Sequence, residues 1–407
     1  MIWLTQAFRN IVANGRRSVL VALTVSISAL ALMLFAGYIH AIDQGIREST
    51  IRGGVGHFQV MGEGGYDGNS DLQLEFGLEP DARAQLTELK SDSSLSIRRI
   101  VPRLQFSGLI SSGASTMSFS GVGIEPDLEN AAFGSFQAFD DGDRLTGRSA
   151  IDEVLVGAEL ARRLNVEVGD SVTLLSTTDE GALNAYDVVI KGTVSTGVPQ
   201  TELFYLRTTL ELAQSLLATD KVSNITFLLD DDTKLAEVLN RVESAVPGIE
   251  GRTWRQLSPM YDQIVGMYRG LFYVFSAFII VITSFGVATI VLTNVMERKA
   301  EIGIMRGLGI TLSKIRSVFV FEGLLLAVGG LVVGGALSVI LAEVITSLRL
   351  TTPPPPGRDV SYPIHISVDV ATSLIVCCAI FILAGFSALL ACNRVAKMSI
   401  VESLKGT

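Results

Sequence analysis

Residues able to do chemistry are few in this chain, and they do not converge. His40, His57 and His365 stand far apart, and none has an acid or thiol at the short spacing that a metal site needs. Asp230, Asp231 and Asp232 could hold a cation, but an acidic run directly before a helical pattern also reads as that helix's start signal. Gly53, Gly54 and Gly56 could cradle a phosphate, or they free the backbone where a helix gives way to a strand. The sequence has no G-x-x-x-x-G-K-[ST], no H-E-x-x-H and no G-x-S-x-G. No catalytic residues and no metal ligands are expected, and the chain reads as something other than an enzyme.

Spacing is more informative where it serves contact. Phe275, Phe278, Ile282 and Phe285 form one helical stripe, suited either to the wall of a cavity for acyl chains or other apolar ligands, or to ordinary helix packing. Gly330, Gly334, Ser338 and Ala342 recur every four positions, a flat ridge on which another helix can approach closely. Between these two stretches Glu297, Arg298, Glu301 and Arg306 alternate with Ile302 and Met305, and Gly309 follows. That mixture suits either docking to another protein, with Ile302 and Met305 filling a groove in it, or a basic loop that fixes topology.

The elements that position these residues are four runs without a single Asp, Glu, Lys or Arg, at 18–39, 270–296, 323–342 and 370–392. Each reaches the roughly 20 residues that a helix needs to cross about 30 Å of hydrocarbon. The run at 18–39 is too long for the apolar part of a cleaved leader and is read as a retained anchor. Residues 1–17, 297–322 and 393–407 together carry eleven bases against four acids, whereas residues 43–269 carry 34 acids against 19 bases. Bias of Lys and Arg near helix ends places both termini and the 297–322 loop in the cytoplasm, with the insert outside. An acidic insert of that kind is not expected to bind nucleic acid. All three cysteines, Cys377, Cys378 and Cys392, lie in the fourth run, so the insert must fold on a hydrophobic core without disulfides.

The expected fold is therefore an α-helical membrane protein of four transmembrane helices, with a large α+β extracytoplasmic domain inserted between the first and second. Residues 1–17 read as a cytoplasmic interfacial helix, with Leu4, Ala7, Phe8, Ile11 and Val12 on one face. Residues 40–269 read as a domain carried on stalk helices, with a two-layer lobe over about 53–100 and 201–255 and a β-rich lobe over about 101–200. Residues 343–369 form an external loop stiffened by Pro353 to Pro356, and 393–407 form a cytoplasmic tail.

Several strings carry a resemblance beyond these patterns. They are Gly56-His57-Phe58-Gln59-Val60, Pro102-Arg103-Leu104, Gly121-Val122-Gly123-Ile124-Glu125-Pro126, Val156-Gly157-x-Glu159-Leu160-Ala161 with Val168-Gly169-Asp170, and Trp254. The most specific is Glu297-Arg298-Lys299-x-Glu301-Ile302-Gly303-Ile304-Met305-Arg306-Gly307-Leu308-Gly309. Together they resemble the permease subunits of the MacB superfamily of ATP-driven transporters, most closely the lipoprotein-releasing LolC/LolE type. The resemblance implies a bacterial inner-membrane permease coupled through 297–309 to a cytoplasmic ATPase dimer, which would supply the ATP and Mg sites that this chain lacks. It further implies a second permease, either the same chain or a paralogue, a lipoprotein, lipid or other apolar cargo, and a periplasmic carrier or adaptor. The competing reading has the same membrane plan: FtsX-like proteins transport nothing and instead relay ATPase state to an external hydrolase or sensor.

Overall fold

A computed structural model describes residues 11, 15–66, 74–134, 138–147, 152–195, 199–349 and 365–396. The expected interfacial helix (apart from Ile11 and its last residues), the Pro353 to Pro356 segment and the tail beyond 396 lie outside the described residues. The chain divides into two units, one of them Gly45–Asp262 and the other containing the four long apolar helices.

The strands of the first unit are β1 (Phe58–Gly62), β2 (Ile97–Ser111), β3 (Thr116–Ile124), β4 (Ala138–Gly142), β5 (Glu153–Gly157), β6 (Ser171–Thr177), β7 (Leu183–Ser195), β8 (Tyr205–Thr209), β9 (Asn224–Leu229) and β10 (Ile249–Thr253). Alternating burial marks several of them, while β5 and β9, which lie between paired neighbours, are buried throughout. Val172 and Leu174 of β6, and Val188 and Ile190 of β7, are buried while the residues between them are not, the period of two that a half-buried strand requires. The strands join in the order β10-β1-β9-β2-β3-β8-β5-β7-β4, and β6 pairs with both β2 and β7. The strands β2-β3-β8-β5-β7-β6 consequently close into a ring, leaving β10-β1-β9 as a flank. Closure brings β6 close over β2 at Gly108, where a side chain would meet the Leu175 carbonyl at 2.2 Å.

This arrangement differs from two lobes with breaks near 100 and 200. The 15-residue β2 runs through both regions, pairing with β9 over 97–103 and with β3 over 103–111. β8, assigned from sequence to the two-layer part, pairs in parallel with β3 and antiparallel with β5, inside the ring. One core joins Phe58, Leu86 and Phe227 to Phe106, Ile110 and Leu206.

Two polar devices order the connection from helix to sheet. After Thr50 the backbone turns through Gly54 (φ 129°) and Gly56 (φ 72°), the second reading offered for these glycines. Arg103 reaches the Gly54 carbonyl and holds the buried Glu129 carboxylate in a fork, Nε to Oε2 at 3.1 Å and Nη2 to Oε1 at 2.8 Å. His57 Nδ1 accepts from the Leu229 amide at 3.1 Å, which leaves Nε2–H to donate to Asp232, itself paired with Arg47. Burial lowers the His57 pKa from its ordinary value, outweighing the opposing pull of Asp232.

In the second unit the apolar helices are Gly15–Thr50, Pro259–Glu297, Leu312–Ser347 and Val370–Ala396, each long and apolar enough to cross a membrane. The first two have 36 and 39 residues, well beyond the roughly 20 that a bilayer needs. Past their apolar stretches Arg269 Nη2 lies 3.3 Å from Asp43 Oδ2. Within the apolar stretches the Ser28 and Thr283 hydroxyls meet at 2.6 Å, joining first helix to second. The buried face comprises Val21, Val25 and Ala29, Val287 and Val291, Phe319 and Leu326, and Ile380 and Ala388, one line from each helix.

Candidate functional site

The second helix ends at Glu297 because Arg298 departs from helical backbone geometry (φ −94°, ψ 19°), and a separate helix, Lys299–Gly307, follows. That helix closes in a Schellman turn: the Ile310 amide donates to the Met305 carbonyl at 3.1 Å, and the Gly309 amide to the Arg306 carbonyl at 3.0 Å. Gly309 takes the left-handed position at φ 82°, which a side chain would oppose. The chain then enters the third helix at Leu312, so 297–311 forms a tight, defined hairpin.

One face of this short helix belongs to the protein's own core. Ile302 is buried among Ile315 and Phe319, Gly303 is buried, and Met305 packs partly against the same cluster. The expectation that Ile302 fills a groove in a partner is therefore corrected, since it is already occupied within this chain. Residues two apart on a helix point about 200° from each other, so Ile304 instead faces outward at 57% exposure, with Leu308 beyond it at 77%. Sequence reading missed this exposed apolar pair, although the i, i+4 spacing of Ile304 and Leu308 was visible. Arg298 Nε donates to Glu301 Oε2 at 2.9 Å, Arg306 is half-buried, and Glu297 is exposed.

The other two residue groups occupy opposite environments. Gly330 and Gly334 lie against the first helix, where added side chains would meet the Ala22 carbonyl at 2.7 Å and the Ser26 carbonyl at 2.5 Å. The Ser338 hydroxyl reaches Met33 Sδ at 3.5 Å, and Ala342 is buried. By contrast Phe275, Phe278, Ile282 and Phe285 project outward, the last at 70% exposure. Of these four, Phe275 meets the first helix, its ring edge-on to Phe35 at 5.8 Å, beside Phe272 at 5.5 Å from the same ring. A cavity lined by this stripe requires a second surface. Among the described residues no three His, Cys, Asp or Glu side chains form a metal-binding group, and Asp231 instead accepts from the Thr233 amide at 3.0 Å.

Two family descriptions match this chain. Residues 273–400, which include the short helix and the outward stripe, match the FtsX-like permease C-terminal family. Residues 18–245, more than half of the sequence, match the MacB-like periplasmic core domain. The chain belongs to the FtsX-like, MacB-like permease family. It is 23% identical over 278 residues to the lipoprotein-releasing system transmembrane protein LolE of Haemophilus influenzae, covering 66% of this permease and 65% of that protein. It is 25% identical over 199 residues to the LolC protein of Neisseria meningitidis serogroup B, covering 46% and 48%. The permease thus spans between about half and two thirds of the length of these curated relatives. Among solved structures it is similar to the extracellular domain of the noncanonic ABC-type transporter YknZ from Gram-positive bacteria, at a TM-score of 0.35 and 10% identity, covering 48% of this permease and 99% of that chain.

Proposed function

We propose that this permease is the passive mechanical half of an ATP-driven transporter of the bacterial inner membrane, moved by a separate ATPase dimer that grips residues 297–309. In this reading both termini and that hairpin are cytoplasmic, the inserted domain is periplasmic, and ATP and Mg are held by the partner. The observation that carries it is the short helix itself: Ile302 anchors one face in the membrane core, while Ile304 and Leu308 present an apolar pair outward between charged residues. A solvated loop has little reason to keep two large apolar side chains exposed at helical spacing.

A second permease, a further copy or a paralogue, supplies the surface that the outward stripe of Phe275, Phe278, Ile282 and Phe285 lacks. An apolar cargo, a lipid or the acyl chains of a lipoprotein, would enter there from the outer leaflet. Closure of the paired permeases would collapse the cavity and expel the cargo toward the inserted domain, where a carrier or adaptor could take it. The LolE and LolC names favour a lipoprotein. Affinity purification of the membrane-expressed permease, with mass spectrometry of bound proteins and lipids, tests the reading. An ATPase together with acylated protein or lipid supports transport, and an ATPase with a cell-wall hydrolase supports the signalling alternative. Absence of any ATPase overturns both.

A further inference from the structure

Glu322 lies in the helix Leu312–Ser347, directly before its uncharged run, and is only 4% exposed. A carboxylate so buried costs several kcal/mol unless a cation answers it. One cation beside it is Arg298, whose Nη1 lies 3.7 Å from Glu322 Oε2. Arg298 is also the residue at which the second membrane helix breaks into the short coupling helix, and the Ile302 amide donates back to its carbonyl at 3.0 Å. Its guanidinium sits 5.8 Å from the Phe319 ring, one turn before Glu322 on the third helix, and its Nε holds Glu301. A single side chain at the hinge thus grips the coupling helix with one edge and the third membrane helix with the other.

Packing alone does not call for this. Buried ion pairs add little net stability over apolar residues of similar size, and their best-attested use is to fix register between elements. An apolar contact between the hinge and the third helix could slide, whereas a charge pair fixes one atom against another. We propose that Arg298 and Glu322 form the joint that carries displacement of the coupling helix into the third membrane helix, making both positioning residues for transport. The inference rests on the ATPase-driven reading above.

The test uses the complete permease in vesicles with its co-purifying ATPase, and measures, as cargo, a fluorescently labelled triacylated protein released per ATP hydrolysed. Glu322→Gln keeps the side-chain volume and lies away from the exposed Ile304 and Leu308 surface. It should leave ATPase copurification within about twofold of wild type while lowering cargo released per ATP at least tenfold. Glu322→Arg, facing Arg298, should be defective in accumulation or coupling, whereas Glu322→Asp, which keeps the charge, should stay within about threefold of wild type. A Gln variant that stays coupled, or an Asp variant no better than Glu322→Gln, overturns the joint. If the wild-type permease retains no ATPase, the functional reading itself fails, an outcome distinct from loss of the joint.

Discussion

The Ser26 hydroxyl of the first membrane helix donates to the main-chain carbonyl of Gly330 in the third at 2.9 Å, a contact possible only because residue 330 has no side chain. The Ala22 carbonyl of its own helix lies 2.7 Å from the same hydroxyl, so the single Ser26 proton is shared between two helices. The ridge at 330, 334, 338 and 342 is thereby joined to the first helix through main-chain contact rather than long side chains. Gly334→Val should push into the Ser26 carbonyl and destabilise the folded permease by about 1–3 kcal/mol. Thermal unfolding in detergent checks this, and an unchanged midpoint would show that the two helices part without cost.

Glu129 is 1% exposed and answers Arg103, which is itself mostly buried. Removing one partner of such a pair leaves an uncompensated charge. Glu129→Ala should therefore cost about 3–5 kcal/mol, whereas Arg103→Met combined with Glu129→Leu should cost much less. Denaturant unfolding of the three proteins tests the ordering, and equal losses would mean that Arg103 acts through its contact with the Gly54 carbonyl instead.

His57 gives the domain a pH dependence of defined sign. Its folded-state pKa lies below the ordinary 6.5, with desolvation outweighing Asp232, and Arg47 and Arg52 add to the lowering. As pH falls below about 6.5 the unfolded chain takes up a proton that the folded one resists, so stability present above that value is lost on acidification. Protonation would also set an Nδ1–H against the Leu229 amide. The wild type should lose more stability between pH 7.5 and 5 than His57→Gln, and parallel curves would contradict the assignment.

Much of the architecture was legible because apolar periodicity survives in sequence. The four uncharged runs and the mixed α/β insert between the first and second of them follow from spacing and turn residues. The path of β8 was not legible. Five residues, Tyr205–Thr209, carry too little pattern to say that they pair with β3 and β5 rather than with the flanking sheet. Ile302 illustrates a second limit. Spacing places it opposite Ile304, but only the presence of Ile315 and Phe319 decides which of the two faces is already filled. The aromatic stripe was found as a face, while its exposure depends on what lies beside it.

That exposure leads to a prediction about cargo. Phe278 projects outward at 62% and has no charged neighbour for several residues along the second helix. Phe278→Asp should lower the lipid or acylated protein recovered with the assembled permease by at least tenfold, without loss of the ATPase. Quantitative mass spectrometry checks this, and undiminished recovery would remove the stripe from the cavity.

The central claim is that a separate ATPase drives this permease through the outward face of the short helix. ATP hydrolysis by the purified complex in lipid vesicles, compared between wild type and the double substitution Ile304→Asp with Leu308→Asp, tests it most directly. Hydrolysis should fall at least tenfold and the ATPase should no longer copurify, while insertion of the permease into the membrane is retained because Ile302 still anchors the hairpin. Unchanged hydrolysis with the ATPase still bound would contradict the account.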